Sequence, residues 1–144
     1  MADIARQEWV ITWQAAHQAV AAAVASAEEM GIAINVAVCD GAGRLAAFLR
    51  MPGAFLASID IAIDKARTAA GFGLSTARLG ALLDNEMLKL GIATRPGVAA
   101  FAGGLPVHDA EGRLIGGIGV SGGSEEQDEA CARAGVKALL GNGA

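Results

Sequence analysis

His17 and His108 are the only imidazoles in this 144-residue chain, and each stands where proton transfer or metal ligation is conceivable. His17 follows Trp13 by four positions and precedes Val20 by three. That spacing sets it on or beside an apolar helical stripe, where a neutral imidazole can ligate iron. The same spacing also fits a histidine packed in a core or subunit contact and hydrogen-bonded to a neighbour. His108 precedes Asp109 at the end of an apolar run. A carboxylate there could orient the imidazole as a general base, although a solvated turn is the simpler reading of the pair. Asp40 and Glu126 are the further proton-transfer candidates. Asp40 opens a turn, its simplest role, and Glu126, like its neighbour Asp128, needs burial before its pKa could rise into a useful range.

The cations read as holders of acidic groups. Lys65 and Arg67 flank an apolar stripe, where a partly desolvated ammonium could hold a carboxylate. The alternative is an i, i+3 pair of Asp64 with Arg67 beside a solvated Lys65, worth only about 0.2–0.5 kcal/mol. Arg50 closes a strand and either holds a second carboxylate or is solvated. Met30 and Met51 carry thioethers that could reach iron or simply fill gaps in a small-residue core. Cys39 and Cys131 lie in apolar surroundings at no metal-like spacing, so they read as reduced core thiols. No His, Cys and carboxylate cluster has metal-ligand spacing, and no metal is expected.

Glycines and small residues indicate where a ligand could fit. Gly117-Ile118-Gly119-Val120-Ser121-Gly122 matches G-x-G-x-x-G, but its first two glycines fall inside a strand and no ribose-binding acid follows. Close helix–sheet packing is the better reading. The turn Ser121-Gly122-Gly123-Ser124 aims backbone N–H groups from a helix start. Glu125, Glu126 and Asp128 already satisfy that positive end and would repel phosphate, while Gly122 still allows a ligand atom to approach. Ala62, Ala66, Ala69, Gly117, Gly119 and Gly122 leave room for a cleft lined by Phe48 and Phe101, with Gly103 and Ser121 at its edge and Lys65 as its positive group. The expected ligand is therefore apolar and carboxylate-bearing, not a nucleotide.

Local signals define the elements that would position these groups. Thr12 caps a helix running to Met30, with Trp13, Ala16, Val20, Val24 and Ala27 as its stripe and Gly31 as its stop. Ala33–Cys39 and Arg44–Arg50 form a hairpin around residues 40–43, its first strand apolar on both faces. Ser58 caps a second helix that closes near 71–73, and Ser75 opens a shorter one through Leu83. Residues 84–98 read as an irregular crossover. Ala99–Ala102, Pro106–His108 and Leu114–Val120 read as strands, the last two joined in a hairpin. Ser124 with Gln127 forms a capping box for a final helix to Leu140. Two hairpins around a helical crossover give an α+β fold, an antiparallel sheet with helices on its faces.

Composition narrows the function classes. With 53% hydrophobic and 18% charged residues, the chain is one domain, 1–144, with a substantial core. A net charge of −4 and only 4% aromatic residues, none of them tyrosine, leave no basic footprint and few stacking platforms, so no nucleic-acid partner is expected. No stretch reaches the ~20 apolar residues of a membrane span, and the start lacks a basic and then hydrophobic leader. A cytoplasmic protein with no membrane partner is the expectation. A mean hydropathy of +0.44 exceeds what a domain of this size needs for its own core, and a homo-oligomer follows.

The run DGAGRLAAFLRMPGAFLASIDIAIDKARTA at 40–69, with FAGGLPV at 101–107 and GGIGVSGGSEEQDEACARAG at 116–135, resembles the GlcG/HbpS family, also called the haem-degrading or DUF336 family. The likeness runs over most of the chain from Thr12. The resemblance implies a profilin-like α+β domain that forms oligomers, and relatives that include haem-binding redox accessory proteins, a domain of corrinoid adenosyltransferases and products of catabolic operons. Haem or a related tetrapyrrole at an oligomeric pocket is the implied ligand. The competing class is a cofactor-free enzyme acting on a small organic acid, with Lys65 and Arg50 holding carboxylates and Asp40, His108 or Glu126 moving the proton. A third is a purely structural accessory subunit.

Overall fold

A computed structural model describes residues 2–140. Helix α1 spans Trp13–Met30. Thr12 accepts from the Ala15 N–H at its start, and Gly31 closes it at φ +70°, a left-handed conformation that glycine adopts without steric cost. Strands β1 (Asn35–Asp40) and β2 (Leu45–Arg50) follow, then α2 (Ala57–Phe72), α3 (Thr76–Leu82), α4 (Glu86–Ala93), β3 (Gly104–His108), β4 (Leu114–Ser121) and α5 (Glu125–Leu139). The capping box is present: Gln127 N–H donates to Ser124 Oγ, and Ser124 N–H to Gln127 Oε1.

The four strands form one antiparallel sheet in the order β2-β1-β4-β3, so the fold is α+β. Successive strand residues face opposite sides. Val36, Val38, Ile118 and Val120 pack with α1 and α5 in the larger core, while Ala37 and Cys39 pack with Ala62, Ala66 and Ala70 of α2 on the other face. β1 is covered on both sides, as its apolar run predicts. A Cβ on Gly117 or Gly119 would run into the carbonyl oxygens of Ala66 or Ala62. The glycines of the G-x-G-x-x-G run therefore bring the sheet against α2. Cys39 and Cys131 are free and buried in the two separate cores.

Four sequence expectations need correction. Residues 86–93 are a helix, not irregular chain, because Asn85 accepts from the Leu88 N–H and caps it. Ser58 is no cap: α2 begins at Ala57, and Ser58 is buried with its hydroxyl accepting from Ser121 Oγ at 3.1 Å. Ala99–Ala102 is not a strand: irregular chain leads into a bend at 101–103, and β3 begins later, at Gly104. Trp13 leaves the apolar stripe and is 68% exposed, since the buried face of α1 runs through Ala16, Ala19, Val20, Ala23 and Ala27.

Candidate functional site

The largest concentration of buried polarity lies where β4 runs into α5. Lys65 of α2 is 1% exposed. Its Nζ donates to the Val120 carbonyl at 2.8 Å and to Asp128 Oδ2 at 3.2 Å, and lies 4.7 Å from the centroid of the Phe101 ring. The second Asp128 oxygen accepts from the Gly123 N–H at 2.8 Å. Ala102 N–H donates to Glu125 Oε1 at 3.1 Å, which ties the 101–103 bend to the start of α5.

Small residues make this burial possible. Gly103 has φ +128°, and a Cβ there would come within 2.6 Å of the Lys65 ammonium; the bend therefore folds down over the lysine only because position 103 lacks a side chain. Burial pushes the Lys65 pKa down, opposed by the charge and hydrogen bond of Asp128. Burial likewise pushes the Asp128 carboxyl up, opposed by the Gly123 N–H and Lys65. The pair is a desolvated acid and base in contact, the arrangement from which proton transfer can be built. Beside it, Asn35 is fully buried, and its Nδ2 donates to the Phe55 carbonyl at 3.1 Å while its Oδ1 has no partner.

Of the residues singled out from sequence, Lys65, Phe101, Gly103, Ser121 and Gly122 thus fall in one neighbourhood. Lys65 is neither solvated nor open to a cleft, because the alanine stripe lets it lie along the sheet with its ammonium already partnered. Phe48 packs on the same face of the sheet, against the Ala62, Ala66 and Ala70 cluster. Arg50 is exposed, with Nη2 donating to the Ala54 carbonyl at 2.9 Å. Glu126 is exposed, and the acid that α5 buries is Asp128. The helical spacing of Asp128, Cys131, Ala132 and Gly135 carried that signal.

The remaining candidates lie elsewhere. Asp40 sits at the far end of β1 from Asn35, five residues or about 17 Å away at the usual strand rise. It builds the β1–β2 turn, accepting from the Ala42 and Arg44 N–H groups and holding Arg44 Nε at 2.8 Å. His108 is at the same end and exposed. Asp109 does not orient its imidazole, because that carboxylate holds Arg113 Nε at 2.7 Å and the N–H groups of Glu111 and Arg113. His108 instead edges an open cleft of about 580 Å³ with Ala15, Ile115, Leu139 and Leu140. His17 is exposed on α1, across the sheet from α2. Met51 packs against the larger core, its sulfur accepting from the Ile34 N–H at 3.4 Å. Among the described residues no group of three His, Cys, Asp or Glu side chains could hold a metal, and no helix is long and apolar enough to cross a membrane.

Comparison with known proteins gives concordant matches. Over 131 residues the chain is 34% identical to the corrinoid adenosyltransferase PduO of Citrobacter freundii, an alignment covering 90% of this chain and 39% of that protein. The chain therefore matches well under half the length of that relative. The crystal structure of the Klebsiella pneumoniae protein ORFY, of the DUF336 family, superposes with a TM-score of 0.90 at 31% identity, covering 98% of both chains. The structure of a PduOC–haem complex superposes with a TM-score of 0.82 at 32% identity, covering 90% of this chain and 95% of that one. The family model described as haem degrading protein HbpS-like matches residues 11–137, and with the fold and these relatives in agreement, the chain belongs to the HbpS-like family.

Proposed function

We propose that this chain binds haem or a related tetrapyrrole in a pocket completed by a second copy, with His17 supplying an axial ligand. The observation that carries the reading is the outer flank of α1, where the His17 imidazole is exposed one helical turn beyond Trp13, itself 68% exposed. An unburied imidazole beside a large aromatic surface is a donor set that suits haem iron and its apolar macrocycle. The similarity to a protein solved with haem supports the choice of ligand.

Exposed apolar surface supports the oligomer. Among the described residues, sixteen large apolar side chains are at least a third exposed. Helix α4 buries none of its residues, with Met87 84% and Leu90 61% exposed. An eight-residue helix is marginal alone in water, so a neighbouring copy lying on α4 accounts for its persistence. The two free buried thiols, Cys39 and Cys131, fit a reducing, cytoplasmic setting. For Lys65 to receive a ligand carboxylate, Phe101 would have to lift from the ammonium and Asp128 give way.

A second reading, a cofactor-free enzyme acting on a small organic acid, is favoured by the buried Lys65–Asp128 pair. Its other candidates are dispersed, with Asp40 and His108 at one end of the sheet and Arg50 and Lys65 toward the other. Haemin titrated into purified protein separates the two readings. Saturable growth of a bound-haem Soret band supports binding; its absence at stoichiometric haemin moves the weight to the enzyme.

A further inference from the structure

The end of the sheet remote from Lys65 carries two turns of the same chemical design. In Asp40-Gly41-Ala42-Gly43-Arg44, one carboxylate oxygen accepts from the N–H groups of Ala42 (2.9 Å) and Arg44 (3.0 Å), and the other takes Arg44 Nε at 2.8 Å. In Asp109-Ala110-Glu111-Gly112-Arg113, the equivalent bonds reach Glu111 N–H (3.0 Å), Arg113 N–H (2.9 Å) and Arg113 Nε (2.7 Å). Gly43 and Gly112 occupy the same left-handed position, at φ +83° and +81°. β1 and β4 are paired, with Asp40 opposite Gly116, so the two turns are neighbours.

Each aspartate occupies only the Nε side of its arginine. Among the described residues, both terminal nitrogens of Arg44 have no protein partner, and Arg113 gives only Nη2, to Glu111 at 3.3 Å. The Arg113 guanidinium lies over the Trp9 ring, 4.0 Å from its centroid. A cleft of about 510 Å³ opens between the turns and the N-terminal segment, lined by Arg6, Glu8, Trp9, Arg44, Arg113 and Gly71, with Arg6 Nη2 held by Glu8 Oε1 at 3.1 Å. An adjoining cleft of about 380 Å³ shares Arg44 and Gly71 and adds Arg67, whose Nε donates to the Gly43 carbonyl at 2.8 Å.

We propose that this paired-turn cleft binds a small oxyanion, the carboxylate or phosphate group of a metabolite, on the two terminal nitrogens of Arg44 and the free Nη1 of Arg113. Aspartates and an indole fix the two guanidinium planes, so little side-chain freedom remains to be lost when an anion is taken. The two terminal nitrogens of Arg44 form the fork geometry that carboxylate and phosphate oxygens match. The aspartates also cancel much of the long-range charge, so binding is directional rather than driven by a net positive field. This site is independent of the haem reading, because neither His17 nor Lys65 lines it.

Trp9 reports on the cleft directly. In the full-length Trp13→Phe protein, Trp9 emission is followed while succinate or inorganic phosphate is added at constant ionic strength. A saturable change is expected, weakened at least tenfold by Arg44→Gln, weakened to a smaller degree by Arg6→Gln, which leaves Glu8 unpaired at the cleft, and unaffected by Arg78→Gln on α3. Arg6 lies outside every element, so its variant keeps the test valid if a turn variant fails to fold. The proposal is overturned if neither anion gives a saturable change, if chloride gives the same response, or if Arg44→Gln and Arg6→Gln bind as the parent does.

Discussion

Lys65 and Asp128 stand 63 positions apart in the chain and meet at 3.2 Å beneath Phe101, the ammonium 1% exposed. The contact ties α2 to α5 across the end of β4. Removing one member strands the other as a buried, uncompensated charge, which typically costs about 3–5 kcal/mol. Asp128→Ala should lose stability on that scale in urea unfolding. Adding Lys65→Met to it should recover part of the loss, because the stranded ammonium is then gone. Strictly additive losses would contradict the coupling.

The close approach of α2 to the sheet predicts a sharp contrast between two glycines. Gly119→Ala places a methyl group against the Ala62 carbonyl and should destabilise by about 1–3 kcal/mol, the usual range for overpacking. Gly91→Ala, inside α4 with no atom within 4 Å of the added carbon, should be neutral or stabilising by up to about 1 kcal/mol. Thermal unfolding of both variants checks the pair.

Burial pushes the Cys39 thiol up to about 11 from the 9.0 of an exposed thiol. With the folded value above the unfolded one, the unfolded chain loses its proton first. The thiol's contribution is therefore fully present below pH 9.0 and is lost as pH rises through about 11. A decline on the order of 2 kcal/mol across that window follows from the shift, and Cys39→Ala should flatten it. The Cys131 thiol is raised by burial in the same sense. Neither thiol should react with a disulfide reagent at pH 8 until the protein is unfolded.

Association should depend on α4. The protein is expected to sediment as a multiple of its 14.4 kDa chain mass, and Leu90→Glu, at a position 61% exposed, should weaken that assembly while leaving the far-ultraviolet circular dichroism unchanged. A stable monomer of the unaltered protein at micromolar concentration would remove the oligomeric pocket from the account.

The elements most legible in the sequence are those with local punctuation. Thr12 and Gly31 mark α1, Ser124 and Gln127 mark the start of α5, and two Asp-to-Arg turns mark the hairpins. Gly91 and the Arg95-Pro96-Gly97 turn after it mask helix α4 in the sequence, although Asn85 ahead of Glu86 is an adequate start signal. Ser58 resembles a cap locally, and only its long-range contact with Ser121 shows otherwise. The site was legible by parts. Residue type and spacing point to Lys65, Phe101, Gly103, Ser121 and Gly122, but the pairing of Lys65 with Asp128 has no local signature. Asp128 itself could have been chosen over Glu126 from the helical spacing of its buried neighbours.

The haem reading rests on His17, and a comparison of two histidine variants tests it most directly. Purified protein, His17→Ala and His108→Ala are each titrated with haemin and followed in the Soret region. The account predicts a saturable shift in the parent, its retention in His108→Ala and its loss in His17→Ala, with all three folded alike. An unchanged shift in His17→Ala, or no shift in the parent at stoichiometric haemin, would contradict it.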